Sequence, residues 1–164
     1  MNWSHTISQD VSLSRDSRRD GIPFPPILVI DADDAFRETL VIRLDIAGFA
    51  VTPRATIAEG LDYLHHSAAC RYIVLLDFFF EGDNADILLA AVEQDAALAR
   101  HDYVLLTTCP VARLAEEARR LIRACCIEVV YKPFTSDRLY RVVERAAVDL
   151  LLADSASDNT SHQE

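Results

Sequence analysis

The sequence predicts an α/β fold: a doubly wound, five-stranded parallel sheet with helices on both faces. Three observations lead there. Short apolar runs alternate five times with segments of helical periodicity, the pattern of parallel strands joined by right-handed helical crossovers. The central one of these runs, Tyr72-Ile-Val-Leu-Leu76, lacks a polar alternate, so both faces of that strand are expected to be covered. Four of them lead into a residue that can hold a ligand, namely Asp31, Asp77, Thr107 and Lys132. Open α/β sheets place their ligands at the carboxyl ends of strands.

Composition narrows the class of function. A chain of 164 residues suits one domain with a full core and short tails. A hydrophobic content of 51% beside 26% charged residues is that of a soluble globular protein. No apolar stretch is long enough to span a bilayer, and Asn2, Ser4, His5 and Ser8 interrupt any signal-peptide core. A cytoplasmic location is therefore expected. The net charge of −10 argues against nucleic acid as a partner, because Lys and Arg clusters are what phosphates require. Lys132 is the only lysine among 16 basic residues. Cys70, Cys109, Cys125 and Cys126 form no C-x-x-C pair and have no histidine at ligand spacing, so they are read as structural, reduced thiols, with the pair Cys125-Cys126 expected to be buried just before a strand.

Residues 1–26 are rich in Ser, Asp and Arg and end in Ile22-Pro-Phe-Pro-Pro26. Prolines lack the donor a central strand needs, so this segment is read as a flexible leader that can touch the domain through Trp3 and Phe24. The folded domain is expected over 27–153. Residues 154–164 are polar and acidic and are expected to be a disordered tail.

Ile27-Leu-Val-Ile30 is the first strand. Asp33 or Asp34 can cap the next helix, since a carboxylate there accepts free amide protons and faces the positive end of the dipole. Phe36, Leu40, Val41, Leu44 and Ala47 make its apolar stripe, and Gly48 suits the position just past its end. Phe49-Ala-Val-Thr52 is a short second strand. Thr56-Ile-Ala-Glu59 has the capping-box pattern ahead of Leu61, Tyr63 and Leu64. That helix ends near His65-His66, read as a solvated end because adjacent histidines point different ways.

The third strand is Tyr72-Ile-Val-Leu-Leu76, running into Asp77. A loop at Glu81-Gly-Asp-Asn84 precedes a helix from Ala85 to Leu98 with Ile87, Leu88, Ala91 and Val92 inward. Tyr103-Val-Leu-Leu106 is the fourth strand, followed by Thr107-Thr108. Pro110 suits the first turn of the next helix, which carries Leu114, Ala118, Leu121 and Ile122. Ile127-Glu-Val-Val-Tyr131 is the fifth strand, and Lys132-Pro133 follows it. Thr135 or Ser136 caps a last helix striped by Leu139, Val142, Val143, Ala146, Leu150 and Leu151.

In such a sheet Asp31, Asp77, Thr107 and Lys132 converge on one edge. A carboxylate there can attack phosphorus, and a second can help hold a hard divalent cation. A hydroxyl and an ammonium can grip phosphoryl oxygens, and phosphoryl transfer depends chiefly on such positioning and charge neutralisation. No Gly-rich loop follows any strand, which removes the dinucleotide and P-loop readings. A small α/β hydrolase fails as well, for want of a nucleophile elbow and of a histidine at a strand end. His5, His65, His66, His101 and His162 fall in tails, helix ends or a loop.

These residues give the chain a resemblance to the receiver domain of two-component response regulators. The resemblance rests on Ile27-Leu-Val-Ile-Asp31 with Arg37 six residues on, Val74-Leu-Leu-Asp77, Leu105-Leu-Thr107 and Lys132-Pro-Phe-Thr135. It implies a flavodoxin-like sheet of strand order 2-1-3-4-5 and a cis bond before Pro133. It implies Asp77 as phospho-acceptor, with Thr107 and Lys132 binding the phosphoryl group. A Mg²⁺ ion would rest on Asp31, Asp77 and the backbone carbonyl of Phe79. Partners would be a histidine kinase or phosphotransfer protein and a separate effector. A homodimer through residues 110–150 is a further implication, although Arg113, Glu116, Glu117, Arg119, Arg120 and Arg123 read equally well there as a solvated face.

The departures from the pattern carry expectations too. Where the family has a second acid after the first strand, this chain has Ala32, which predicts weak Mg²⁺ binding. Asp33, one residue beyond, offers a shifted or water-mediated ligand. Glu81 and Ala85 replace the family's proline and glycine after the acceptor, and Val129 stands in the switch-aromatic slot. The leading expectation is a stand-alone receiver that accepts a phosphoryl group on Asp77 and signals by protein contact, with no enzymatic activity beyond self-phosphorylation and autodephosphorylation. The alternative is a pseudo-receiver, an interaction module that does not use phosphate.

Overall fold

In the computed structural model residues 24–67, 70–78 and 85–160 are described. Five strands, β1 (Ile27–Ile30), β2 (Val51–Arg54), β3 (Ile73–Asp77), β4 (Asp102–Thr107) and β5 (Glu128–Tyr131), form one sheet of order β2-β1-β3-β4-β5. Every pairing is parallel. The helices are α1 (Asp34–Ile46), α2 (Ile57–His66), α3 (Ala85–Gln94), α4 (Ala96–Ala99), α5 (Glu116–Ala124) and α6 (Ser136–Thr160).

The pleat divides the central strands between two cores. Ile27, Val29, Ile73, Leu75, Val104 and Leu106 pack with Leu40 and Leu44 of α1 and with Leu139, Val143 and Ala147 of α6. Their alternates Leu28, Ile30, Val74, Leu76 and Leu105 pack on the opposite face with Ile57 and Leu64 of α2, Leu88 and Leu89 of α3, and Leu121 of α5. Burial on both faces is why these runs carry no polar alternate.

Local chemistry sets the element ends. The Asp33 carboxylate caps α1 by accepting the Phe36 amide at 3.0 Å, and Gly48 turns the chain out with φ 95°. Thr56 caps α2, while the Glu59 carboxylate reaches past it to the Ala55 amide. Gly60 lies so close to β1 that a Cβ there would sit 2.3 Å from Ile30 Cδ1.

Several boundaries differ from expectation. β2 starts at Val51 rather than Phe49, whose ring is buried 5.1 Å from that of Phe24. The expected helix over 85–98 breaks at Asp95, whose carboxylate caps the short α4. Pro110 opens a single 3₁₀ turn at Val111–Arg113, and α5 begins only at Glu116. α6 runs to Thr160, through much of the stretch expected to be a tail. Cys126 is exposed, not buried, because it occupies the left-handed position (φ 52°) that turns α5 into β5. His101, expected in an open loop, is buried where the chain enters β4. Among the described residues no helix is long and apolar enough to cross a membrane.

Candidate phosphoryl-transfer site

Parallel register brings the strand ends together: Ile30 pairs with Leu76, Asp77 with Leu106, and Thr107 with Tyr131. Asp31, Asp77, Thr107 and Lys132 therefore share the carboxyl edge, as their positions in the sequence predict. Among the described residues the buried polar side chains are Asp31 (1% exposed), Asp77 (8%), Thr107 (0%) and His101 (6%). Burying polar groups is unfavourable, and three of these four lie at one edge.

Lys132 joins the two acids. Its ammonium is 3.1 Å from Asp77 Oδ1 and 3.3 Å from Asp31 Oδ2, with the lysine side chain only 15% exposed. Its backbone amide donates to the Thr107 carbonyl at 2.7 Å, which ties the loop after β5 to the end of β4. The Lys132–Pro133 bond is cis. Asp31 accepts the Asp33 amide on Oδ1 at 2.8 Å. Arg37 donates to the Asp31 carbonyl and pairs with Asp34, so the guanidinium staples the turn after β1 to α1. Burial, the largest influence, and the neighbouring charge of Asp77 raise the Asp31 pKa above the usual carboxylate value, against the opposing pull of the Asp33 amide and Lys132.

Two groups stand ready for a ligand. Among the described residues Asp77 Oδ1 is buried without a hydrogen-bond donor, the ammonium approaching within ion-pair distance but out of hydrogen-bonding alignment. The Thr107 hydroxyl accepts the Cys109 amide at 3.0 Å and donates weakly to the Cys109 carbonyl at 3.4 Å. The second of these is easily exchanged for a better acceptor.

The other candidates fall elsewhere. Ala32 is exposed, and Asp33 directs its Oδ1 to the cap of α1. Phe79, Glu81, Gly82 and Asp83 lie outside the described residues. Val129 packs against the core, while Tyr131 is half exposed and its hydroxyl accepts the Val111 amide at 3.4 Å. The pair Asp31 and Asp77, with a buried oxygen lacking a donor, fits a hard divalent cation that keeps most of its waters. Among the described residues no third acid, histidine or cysteine joins them. Phe36, expected in the core stripe of α1, packs against the rim of that core, and its ring also meets Lys132.

No protein-family model matches the chain, and no curated protein does. Solved structures do. NtrX from Brucella abortus is 25% identical with a TM-score of 0.66, covering 82% of this chain and 29% of its own. The chain thus spans less than a third of NtrX. A response regulator receiver domain protein (CheY-like) from Methanospirillum hungatei JF-1 is 16% identical, with a TM-score of 0.64 over 79% of this chain and 98% of its own. The signal receiver domain of an HD domain-containing protein from Pseudomonas fluorescens Pf-5 is 17% identical, with a TM-score of 0.68 over 82% and 94%.

Proposed function

We propose that this chain, which has the fold of response-regulator receiver domains, accepts a phosphoryl group on Asp77 within a two-component relay and signals through protein contact. The observation that carries this reading is the Lys132 ammonium bridging two buried carboxylates at the sheet edge, next to a buried hydroxyl.

In the proposed reaction an Asp77 oxygen attacks the phosphorus of a phosphohistidine on a kinase or phosphotransfer protein. The P–N bond breaks, the imidazole leaves and takes up a proton, and Asp77 becomes an acyl phosphate. Lys132 neutralises charge on the transferring group. Thr107 rotates from Cys109 to donate its hydroxyl proton to a phosphoryl oxygen. Asp31 and Asp77 would hold a divalent cation, expected to be Mg²⁺, which when bound adds positive charge beside the same oxygens. Ala32 leaves that cation one carboxylate short, so affinity is weak. Water attack on the phosphorus later returns Asp77 to a carboxylate and releases inorganic phosphate. No activity on other substrates is proposed.

A second reading, an interaction module indifferent to phosphate, draws on the exposed Ala32 and on Asp33 facing its helix cap. Intact mass after incubation with a small phosphodonor, with and without Mg²⁺, separates the two. The expected outcome is a labile gain of one phosphoryl mass on wild type and none on Asp77→Asn. No gain at any Mg²⁺ concentration would leave the second reading standing.

A further inference from the structure

The Lys132 ammonium has a third neighbour besides its two carboxylates. Its nitrogen lies 3.8 Å from the centroid of the Phe36 ring, well inside the ~6 Å within which a cation is drawn to an aromatic face. Phe36 is braced in turn by Phe134, with ring centroids 6.1 Å apart and planes at 78°. Phe134 stands two residues beyond Lys132, so one loop supplies both the cation and the brace. On the other side, Asp33 gives its amide to Asp31 and accepts the Phe36 amide, so one turn sets both a carboxylate and the ring.

A lysine is a strongly hydrated charge on four rotatable bonds. Of the two carboxylates only Asp31 directs it, Oδ2 accepting a hydrogen bond from the ammonium at 3.3 Å, while Asp77 Oδ1 at 3.1 Å makes no aligned hydrogen bond with it. A flat π face closes one side of the space and removes orientations that point away from the strand ends. We infer that Phe36 is a positioning residue whose ring, braced by Phe134, seats the Lys132 ammonium over the strand-end carboxylates. The consequence for phosphoryl transfer rests on the function proposed above; the seat itself does not.

A core phenylalanine responds to changes in size, whereas a seat for a cation responds to the electron density of the ring. The test replaces Phe36 by phenylalanines bearing one, two and three ring fluorines, which keep the shape and weaken the negative face, with Phe36→Leu and Phe36→Tyr alongside. Because the chain has one lysine, the ε-CH₂ resonances of lysine-labelled protein report Lys132 alone. They are expected upfield of free lysine in wild type, less so with each fluorine, and at the free position in Phe36→Leu. The rate of mass gain from a small phosphodonor should fall along the same series, by about 2- to 30-fold in total, the range a cation–π contact allows. Phe36→Tyr should recover what Phe36→Leu loses, and the thermal midpoint of the fluorinated proteins should not move.

Lysine resonances at the free position in wild type, or unmoved by fluorine, would overturn the inference. So would a rate that follows the thermal midpoint rather than the fluorine count. Should wild type gain no phosphoryl group, the proposed function fails while the resonances still decide the seat.

Discussion

At the scale of single residues, two buried groups respond to pH in opposite directions. Asp31 has its pKa raised by burial, so the folded state holds that proton more tightly than the unfolded chain, and ionising it opposes folding at neutral pH. His101 works the other way. Its Nδ1 accepts the Tyr72 amide at 3.1 Å, which places the ring proton on Nε2, a buried atom with no partner among the described residues. Burial first, then Arg100 and Arg71, lower its pKa to about 4. A histidine whose pKa is depressed on folding contributes stability that is complete above the unfolded value near 6.5 and is lost as pH falls toward 4. At 1.36 kcal/mol per pKa unit the loss reaches up to ~3 kcal/mol. Urea unfolding at pH 7 and pH 4.5 should therefore show a larger drop for wild type than for His101→Gln, which cannot take up that proton. Equal drops would mean that His101 is not the group responsible. Reading the difference between the two proteins removes the opposing contribution of Asp31, which both share.

Among the elements, α2 lies close against β1 at Gly60. A methyl group at Gly60 would meet Ile30 Cδ1 at 2.3 Å and Cγ1 at 3.0 Å inside a full core. Overpacking of this kind destabilises by about 1–3 kcal/mol, so Gly60→Ala should lower the unfolding free energy measured by urea titration by that much. Ile30→Val removes Cδ1, and although it is mildly unfavourable alone, it should recover part of the loss when combined with Gly60→Ala. Additive losses would show that the two sites do not clash. The caps at Asp33 and Thr56 were legible because a short polar side chain ahead of an apolar period has one local job. The break at Asp95 was not, because the apolar spacing runs on through Leu98 and only the side chain of Asp95, bonded to the Ala97 amide, restarts the helix. Pro110 misled for a related reason: its fixed φ suits a 3₁₀ turn as well as an α-helix.

For the molecule as a whole, alternation of strand and helix was enough to foresee the doubly wound sheet and the edge where Asp31, Asp77, Thr107 and Lys132 meet, while the order of its strands came from the family resemblance those residues carry. What strand-end reasoning misses is anything a helix contributes to that edge. Phe36 keeps the spacing of a core residue, and nothing in a one-dimensional pattern distinguishes a ring on Leu from a ring on an ammonium. Charge is also arranged globally. Arg120 binds Glu117 on its own helix and Glu93 on α3, Arg119 and Arg123 bind Glu116, and Arg138 and Arg145 both bind Glu128. Much of the charge on the face over 110–150 is thus paired within the chain, and docking of a second copy over these pairs would have to displace them. Light scattering of the unphosphorylated protein at micromolar concentration should give the monomer mass; a stable dimer would show that these pairs yield readily.

Ala32 has a consequence in the electrostatics of the strand ends. With Asp31, Asp77 and Lys132 charged, the pocket carries one net negative charge. Converting the Asp77 carboxylate to a dianionic acyl phosphate adds one more, since phosphoryl groups bring roughly two charges near neutral pH. A divalent cation would then bring the total to zero. A second acid in place of Ala32 would hold the cation more firmly and leave the phosphorylated pocket negative. On the function proposed above, the alanine would trade grip on the metal for electroneutrality of the phosphorylated state, in which bulk salt would have little net charge left to screen.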